Sequence, residues 1–469
     1  MNLVMFLMKG NQRTNFILSE SITKVIFTIS VPLMLNNIVM TMYNLVDGLF
    51  VAQLSPEDFA ATAFIWPLHF LFIAIGMGVG VGGTALLSQF IGAERMDTAH
   101  RYASNMLLIV LSLATLFSIF GFLAAPWMLS AMGAKGTLYN KSLIYLQINF
   151  LGIFFDFIYF AYQAMLNSQG LTKHITFISI ISSIINIVLD PLFIFERVPL
   201  IGLSGLGMGI TGAAWATVIS KIVLLSLAII VVTKDSQVPL RLKREHFDLQ
   251  IIQRIFRISI PSALGYSGSA LGFTVLNGLI TTYGTDTLAA YSMVNRVTDI
   301  LTQPQMAIGA ALTSIIGQHM GAGLIERGKQ VFNRAIVIVI LMSVISSVLV
   351  VVFRIPLLSI FIKTGSSDHL WSQAIEYLMF SAFIIFFMGL FSIINGYFQG
   401  CGQTQYSMLM TMGRLWFIRL PLIWLFSTFT SLGSTGIWIS MLLSNALIVF
   451  FGLYIYKTRD WEYLVSYKS

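Results

Sequence analysis

Apolar windows of about twenty residues recur along the whole of this chain, separated by short polar connections. An α-helix of about 20 residues spans the hydrocarbon layer of a bilayer. In that layer every backbone N–H and C=O has to be satisfied within the protein. Helical windows repeated this often leave one architecture, an all-α polytopic membrane protein. Composition agrees: the 469 residues are 57% hydrophobic and 10% charged, with a mean hydropathy of +0.85. Twelve spans are expected, near 22–50, 60–91, 101–131, 141–168, 172–196, 210–233, 254–283, 287–318, 331–361, 371–399, 405–430 and 434–457. No hydrophilic stretch is long enough for a separate soluble domain.

The formal charge of +8 could suggest a nucleic-acid partner, but its distribution excludes that reading. If the N-terminus is cytoplasmic, Lys9, Arg13, Arg95, Arg101, Lys173, Lys234, Arg241, Lys243, Arg244, Arg327, Lys329, Arg334, Lys457 and Arg459 all fall on that side. Lys135, Lys141, Arg197, Arg354 and Lys363 fall on the other. This is the positive-inside asymmetry, and it places both termini in the cytoplasm. Cys401 is the single cysteine, so no intrachain disulfide or cysteine-rich metal site can form. Residues 1–8 have no basic region ahead of their apolar run and do not read as a cleavable signal peptide.

The chain repeats itself at an offset of 229 residues. Ile29-Ser30-Val31-Pro32 recurs as Ile258-Ser259-Ile260-Pro261, Phe59-Ala60-Ala61 as Leu288-Ala289-Ala290, and Gly80 as Gly309. Ser88-Gln89-Phe90-Ile91-Gly92-Ala93 recurs as Gly317-Gln318-His319-Met320-Gly321-Ala322. At slightly shifted offsets, Gly170-Leu171-Thr172 pairs with Gly402-Gln403-Thr404, and Ile210-Thr211-Gly212 with Ser434-Thr435-Gly436. Six spans separate equivalent elements, so both halves have the same orientation and are related by an axis along the membrane normal. The expected organisation is an N-terminal tail (1–20), an N-lobe of six spans (21–233), a cytoplasmic linker (234–253), a C-lobe of six spans (254–457) and a C-terminal tail (458–469). Two pseudo-symmetric six-helix bundles around a central cleft suit alternating access.

Within this greasy chain two carboxylates are conspicuous. Asp47 lies in the first span and Asp190 in the fifth, and an ionisable group at such a position is a functional-site hypothesis by default. At 3.6 residues per turn Met40, Tyr43, Asn44 and Asp47 share a face, as do Asn186 and Asp190, with Ser183 extending it. Pro191 is expected to kink the fifth span and free backbone carbonyls. Two acids, an amide and the hydroxyls of Tyr43, Ser183 and Thr217 form an all-oxygen set of the kind that holds a hard cation such as Na+. The same set can hold a proton shared between two carboxyls. Asp156, Lys221, Arg296, Asp299, Arg414 and Arg419 are further charges within spans, which pair, line the cleft or snorkel to an interface. The 23 methionines and 13% aromatic content suit an adaptable pocket.

Several chemistries are absent. The glycine-rich run from Gly76 to Gly83 lacks the Lys-Ser/Thr ending of a phosphate loop and lies inside a span, so close helix packing is its role. The six histidines are scattered, and neither a nucleophile elbow nor an ATP-binding cassette is present. The chain is not expected to be an enzyme or to carry a cofactor.

Taken in order, Tyr43-Asn44-Leu45-Val46-Asp47, Gln89-Phe90-Ile91-Gly92-Ala93, Asn186-Ile187-Val188-Leu189-Asp190-Pro191 and Gly212-Ala213-Ala214-Trp215-Ala216-Thr217 resemble the multidrug and toxic compound extrusion (MATE) transporters over nearly the whole chain. The resemblance implies a V-shaped pair of six-helix bundles exporting organic molecules in exchange for Na+ or H+. Asp47, Asn186, Asp190 and Thr217 match the N-lobe acidic site of the DinF-like branch, with the first three as cation ligands if Na+ is the coupling ion. Tyr145 and Gln163 fall where that branch has a tyrosine and an asparagine. Tyr43, Asn44, Tyr145, Gln163 and Asp299 form a second tier of cavity residues. The acids that the NorM-like branch carries in its seventh and tenth spans are missing: Tyr266 and Ser267 stand in the first region, and 380–390 holds no acid.

The expected function is secondary active antiport that exports small drug-like or cationic amphipathic molecules. The expected partners are the substrate and the lipid bilayer, with no nucleic acid. The chain is expected to act as a monomer in the bacterial inner membrane. The alternatives are a dedicated exporter of one natural product, such as a precolibactin-like intermediate, and a lipid-linked oligosaccharide flippase. The scarcity of basic residues within spans argues against the flippase.

Overall fold

The apolar windows become helices that overrun them. In the computed structural model, which describes residues 10–199, 202–238, 246–362 and 367–461, the twelve long elements are α1 (Ile22–Ala52), α2 (Pro56–Gly92), α3 (Met96–Ala131), α4 (Gly136–Ser168), α5 (Thr172–Ile194), α6 (Ile210–Asp235), α7 (Leu249–Thr281), α8 (Thr285–Gly321), α9 (Ile325–Val352), α10 (Asp368–Gly400), α11 (Thr404–Phe429) and α12 (Ser434–Thr458). Several begin four to six residues before the apolar window, α2 and α9 among them. Hydrophobicity ends at the membrane, whereas the helix runs on to a capping residue. Ser55 caps α2 by accepting from the Asp58 N–H at 3.1 Å, and Asp248 caps α7 by accepting from the Gln250 N–H at 2.8 Å. Most of the expected terminal tails, together with Lys9, Arg241, Lys243, Arg244 and Lys363, lies outside the described residues. Within the expected N-terminal tail, Asn11–Ser19 is helical, with Phe16 and Ile17 buried.

Among the described residues, eleven of the twelve are long and apolar enough to cross a membrane on composition alone. The exception is α8, which is 37 residues long but more polar. Gln305, Thr313, Gln318 and His319 of this helix are buried against protein rather than facing lipid. Its surroundings therefore compensate for its polarity.

The repeat visible in the sequence is physical. Thr172 donates its hydroxyl to the Ile29 carbonyl at 2.9 Å, joining α5 to α1, and Thr404 donates to the Ile258 carbonyl at 2.7 Å, joining α11 to α7. Gln89 at the end of α2 donates to the Gly400 carbonyl at 2.9 Å, and Gln318 at the end of α8 donates to the Ser168 carbonyl at 2.7 Å. These bonds link the two halves on the face where the described residues begin and end. There α2 and α8 cross backbone to backbone: a Cβ on Gly92 would overlap the Gln318 carbonyl, and one on Gly321 would overlap the Gln89 carbonyl. The glycine-rich run of α2 serves packing, as Gly78 lets α2 press against Ala263 of α7.

Two helices depart from a strict division at residue 233. The first half of α1, through Ile26, Ile29 and Leu33, packs in the core of the C-terminal helices with Ile308, Ile315 and Phe398. The first half of α7, through Ile251, Ile255 and Ile258, packs in the N-terminal core with Phe90, Tyr102 and Leu166. Each then enters its own half, α1 against α5 and α7 against α11. The lobes are thus braced by one helix exchanged in each direction.

Candidate functional site

At the far end of α1, Asp47 is half-buried and faces α5, where Asp190 and Asn186 are fully buried. The Asp47 and Asp190 carboxyls stand within hydrogen-bonding reach of each other. Two ionised carboxylates are both acceptors only, so this contact holds when a proton or a cation lies between them. With its amide nitrogen turned toward the acid, Asn186 donates to Asp190 Oδ2 at 2.8 Å, and its oxygen accepts from the Thr217 N–H at 3.3 Å. Thr217 uses its own hydroxyl to donate to the Ala213 carbonyl at 3.0 Å, one turn back on α6. The Tyr43 hydroxyl lies within reach of Thr217, and both Tyr43 and Tyr145 are close enough to feel the charge of either acid. Asp47 Oδ1 is buried and has no hydrogen-bond partner. The floor is apolar, made of Val51, Ile194 and Ala213 with Tyr145 and Phe195 packed on them.

Tyr43, Asp47, Tyr145, Asn186, Asp190 and Thr217 therefore form one group drawn from α1, α4, α5 and α6. Three other expected members stand elsewhere. Asn44 is exposed, because a helix face one residue wide cannot point both Tyr43 and Asn44 at α5. Gln163 is eighteen residues along α4 from Tyr145, about 27 Å at 1.5 Å per residue, with no hydrogen bond to the group. Asp299 is exposed on α8 and, among the ion pairs of the described residues, forms none with Arg296. Pro191 falls in the last turn of α5, so the helix ends there rather than kinking midway. The Leu192, Phe193 and Ile194 carbonyls beyond it accept from the N–H groups of Leu206, Met208 and Gly209 at 2.8–3.0 Å.

Lys221 and Asp156 are 2.7 Å apart across α6 and α4, with exposures of 16% and 13%, and neutralise each other. A second feature lies in the cleft, where both lobes line a cavity of about 480 Å³. Asn37, Phe70, Met77 and Asn167 contribute from the N-terminal half, and Tyr266, Phe273, Met306, Met388, Phe391 and Met408 from the other. These are the methionines and rings that composition alone could not place.

A family model described as MatE matches residues 32–192 and 261–425. A probable multidrug resistance protein, YoeA of Bacillus subtilis, is 26% identical over 447 residues, covering 93% of this chain and 94% of the relative. A protein of Shewanella oneidensis named FAD transporter is 26% identical over 441 residues, covering 92% and 94%. A solved structure described as the outward-facing conformation of a multidrug resistance MATE family transporter of the MOP superfamily superposes with a TM-score of 0.88 at 25% identity, covering 98% of this chain and 99% of that one. With two matched segments that together span most of the sequence, one in each lobe, the chain belongs to the MatE family of membrane transporters.

Proposed function

We propose that this protein exports small organic molecules across the bacterial cytoplasmic membrane by alternating access of its two lobes, in exchange for a cation bound at Asp47 and Asp190. The contact between those two carboxyls carries the reading. A buried pair of acids that can meet only around a positive particle is a binding site for that particle. The direct carboxyl–carboxyl contact favours H+, while the orphaned Asp47 oxygen is a further oxygen ligand that suits Na+. Asn186 and Thr217 position Asp190, and Tyr43 and Tyr145 wall the site. The protein needs no resident cofactor, acts as a monomer, and keeps both termini on the basic, cytoplasmic face. The multidrug resistance relatives support broad export more than a dedicated or lipid-linked cargo.

Transport in proteoliposomes with pH and Na+ gradients imposed separately tests the reading, using rhodamine 123 and fluorescein in turn as cargo. Export driven by one gradient, and lost in Asp47→Asn and Asp190→Asn proteins that still purify as folded monomers, is the expected result. Full gradient-driven export by the double variant would overturn it.

A further inference from the structure

The central cavity has the opposite charge from the acid pair. None of its lining residues is acidic, and the only formal charge among them is Arg414. Arg414 sits in a stretch of α11, Gly413–Arg419, that adopts π-helical i→i+5 bonding, a local geometry that recurs at functional sites. In an α-helix Arg414 and Arg419 would diverge by about 140°, and the wider π turn brings them closer to one side. Both are 5% exposed. Arg419 donates from Nε to Ser444 Oγ at 3.0 Å. Arg414 donates from Nη1 to Asn445 Oδ1 at 3.1 Å and lies over the Phe391 ring, 4.4 Å from its centroid. Its Nε has no partner, nor do Ser269 Oγ and Asn395 Oδ1 on the same cavity wall. No carboxylate among the described residues forms an ion pair with either arginine.

A guanidinium keeps its charge in any protein environment, and an unpaired one at membrane depth calls for an anion. Its planar fork fits the oxygens of a carboxylate or a phosphate. The cavity volume falls in the range of small-molecule sites, and methionines and aromatic rings surround the charge. We propose that Arg414 docks an acidic group, carboxylate or phosphate, carried by an aromatic cargo whose apolar body is held by Tyr266, Phe273, Met388 and Phe391. The proposal rests on the export reading and narrows its substrate from cationic amphipaths to molecules bearing an anionic group.

Matched probes test it. Riboflavin and its 5′-phosphate share one ring system and differ by a phosphate. Rhodamine 123 and fluorescein share a xanthene core and differ in charge. Binding to the purified full chain in detergent is read by fluorescence polarisation, with no gradient present. The wild-type protein is expected to bind the anionic member of at least one pair about tenfold more tightly than its partner, and the pair with the larger gap identifies phosphate or carboxylate as the group preferred. Arg414→Gln is expected to erase that gap, and Arg414→Lys to retain part of it. Equal wild-type affinity within both pairs would overturn the proposal, and so would a charge preference that survives Arg414→Gln. The wild-type comparison decides by itself if a variant fails to fold. Because binding is read without a gradient, failure of the exporter reading shows separately, as gradient-independent behaviour in proteoliposomes.

Discussion

Asp190 has no exposed surface, and its neighbours in the site are another acid, an amide and two tyrosines rather than a base. The Asn186 amide is thus the neutral group that holds it in place. Asn186→Leu keeps the volume and removes the donor, leaving Asp190 Oδ2 without its 2.8 Å bond, at a cost of about 1–3 kcal/mol. Gradient-driven export should fall by about five- to 150-fold, in line with that energy. Added to Asp190→Asn, the same change should cost little more, because both act on one contact. A double-mutant cycle of transport rates checks this. Lys221 and Asp156 offer a contrasting case. Lys221→Met leaves Asp156 unpaired at membrane depth and should destabilise the protein by about 3–5 kcal/mol, whereas Lys221→Met with Asp156→Leu should recover most of that loss. Thermal unfolding followed by size-exclusion chromatography distinguishes the two. At this scale the acids were legible in the sequence, since charges in apolar spans are rare and helical spacing joins Asn186 to Asp190. Arg414 was not, because a basic residue in a span also reads as one that snorkels to an interface.

Helix positions were legible for a different reason. Twelve windows of suitable length specify twelve helices, yet hydrophobicity says nothing of caps, of α8's enclosed polar residues, or of the exchange of α1 and α7 between cores. A π-helical stretch leaves no periodic signature at all. The crossing of α2 and α8 was visible only as a repeated Gln-x-x-Gly, and its meaning appears when Gly92 meets the Gln318 carbonyl and Gly321 the Gln89 carbonyl. This contact closes the terminal face, and alternating access requires it to open. Gly92→Val and Gly321→Val should each push the helices apart and favour the state open on that face. Spin labels at the exposed Asp97 and Leu324 would report a longer distance by double electron–electron resonance, with the buried Cys401 remaining unlabelled. An unchanged distance in both variants would show that the crossing yields without separating the lobes.

The two halves repeat their helix order but not their charges. At an offset of 230, one residue beyond that of the earlier motifs, Asp47-Gly48 matches Asn277-Gly278 and Asp190-Pro191 roughly matches Leu420-Pro421. Asn277 is exposed, and Leu420 follows directly after the π-helical stretch that carries the two arginines. The C-lobe therefore cannot reproduce the N-lobe site by sequence exchange. The i, i+4 geometry that puts Asn186 beside Asp190 on α5 is broken on α11 by the i→i+5 turn. This leads to a test of the asymmetry. In an Asp47→Asn, Asp190→Asn background, adding Asn277→Asp and Leu420→Asp restores the number of acids but not their meeting. Export in proteoliposomes should stay at the level of the parent double variant under either a pH or an Na+ gradient. Recovery of coupled export would mean that any acid pair in the cleft suffices. In that case the buried contact with Asn186 and Thr217, rather than being the source of coupling, would only hold α1 and α6 against α5.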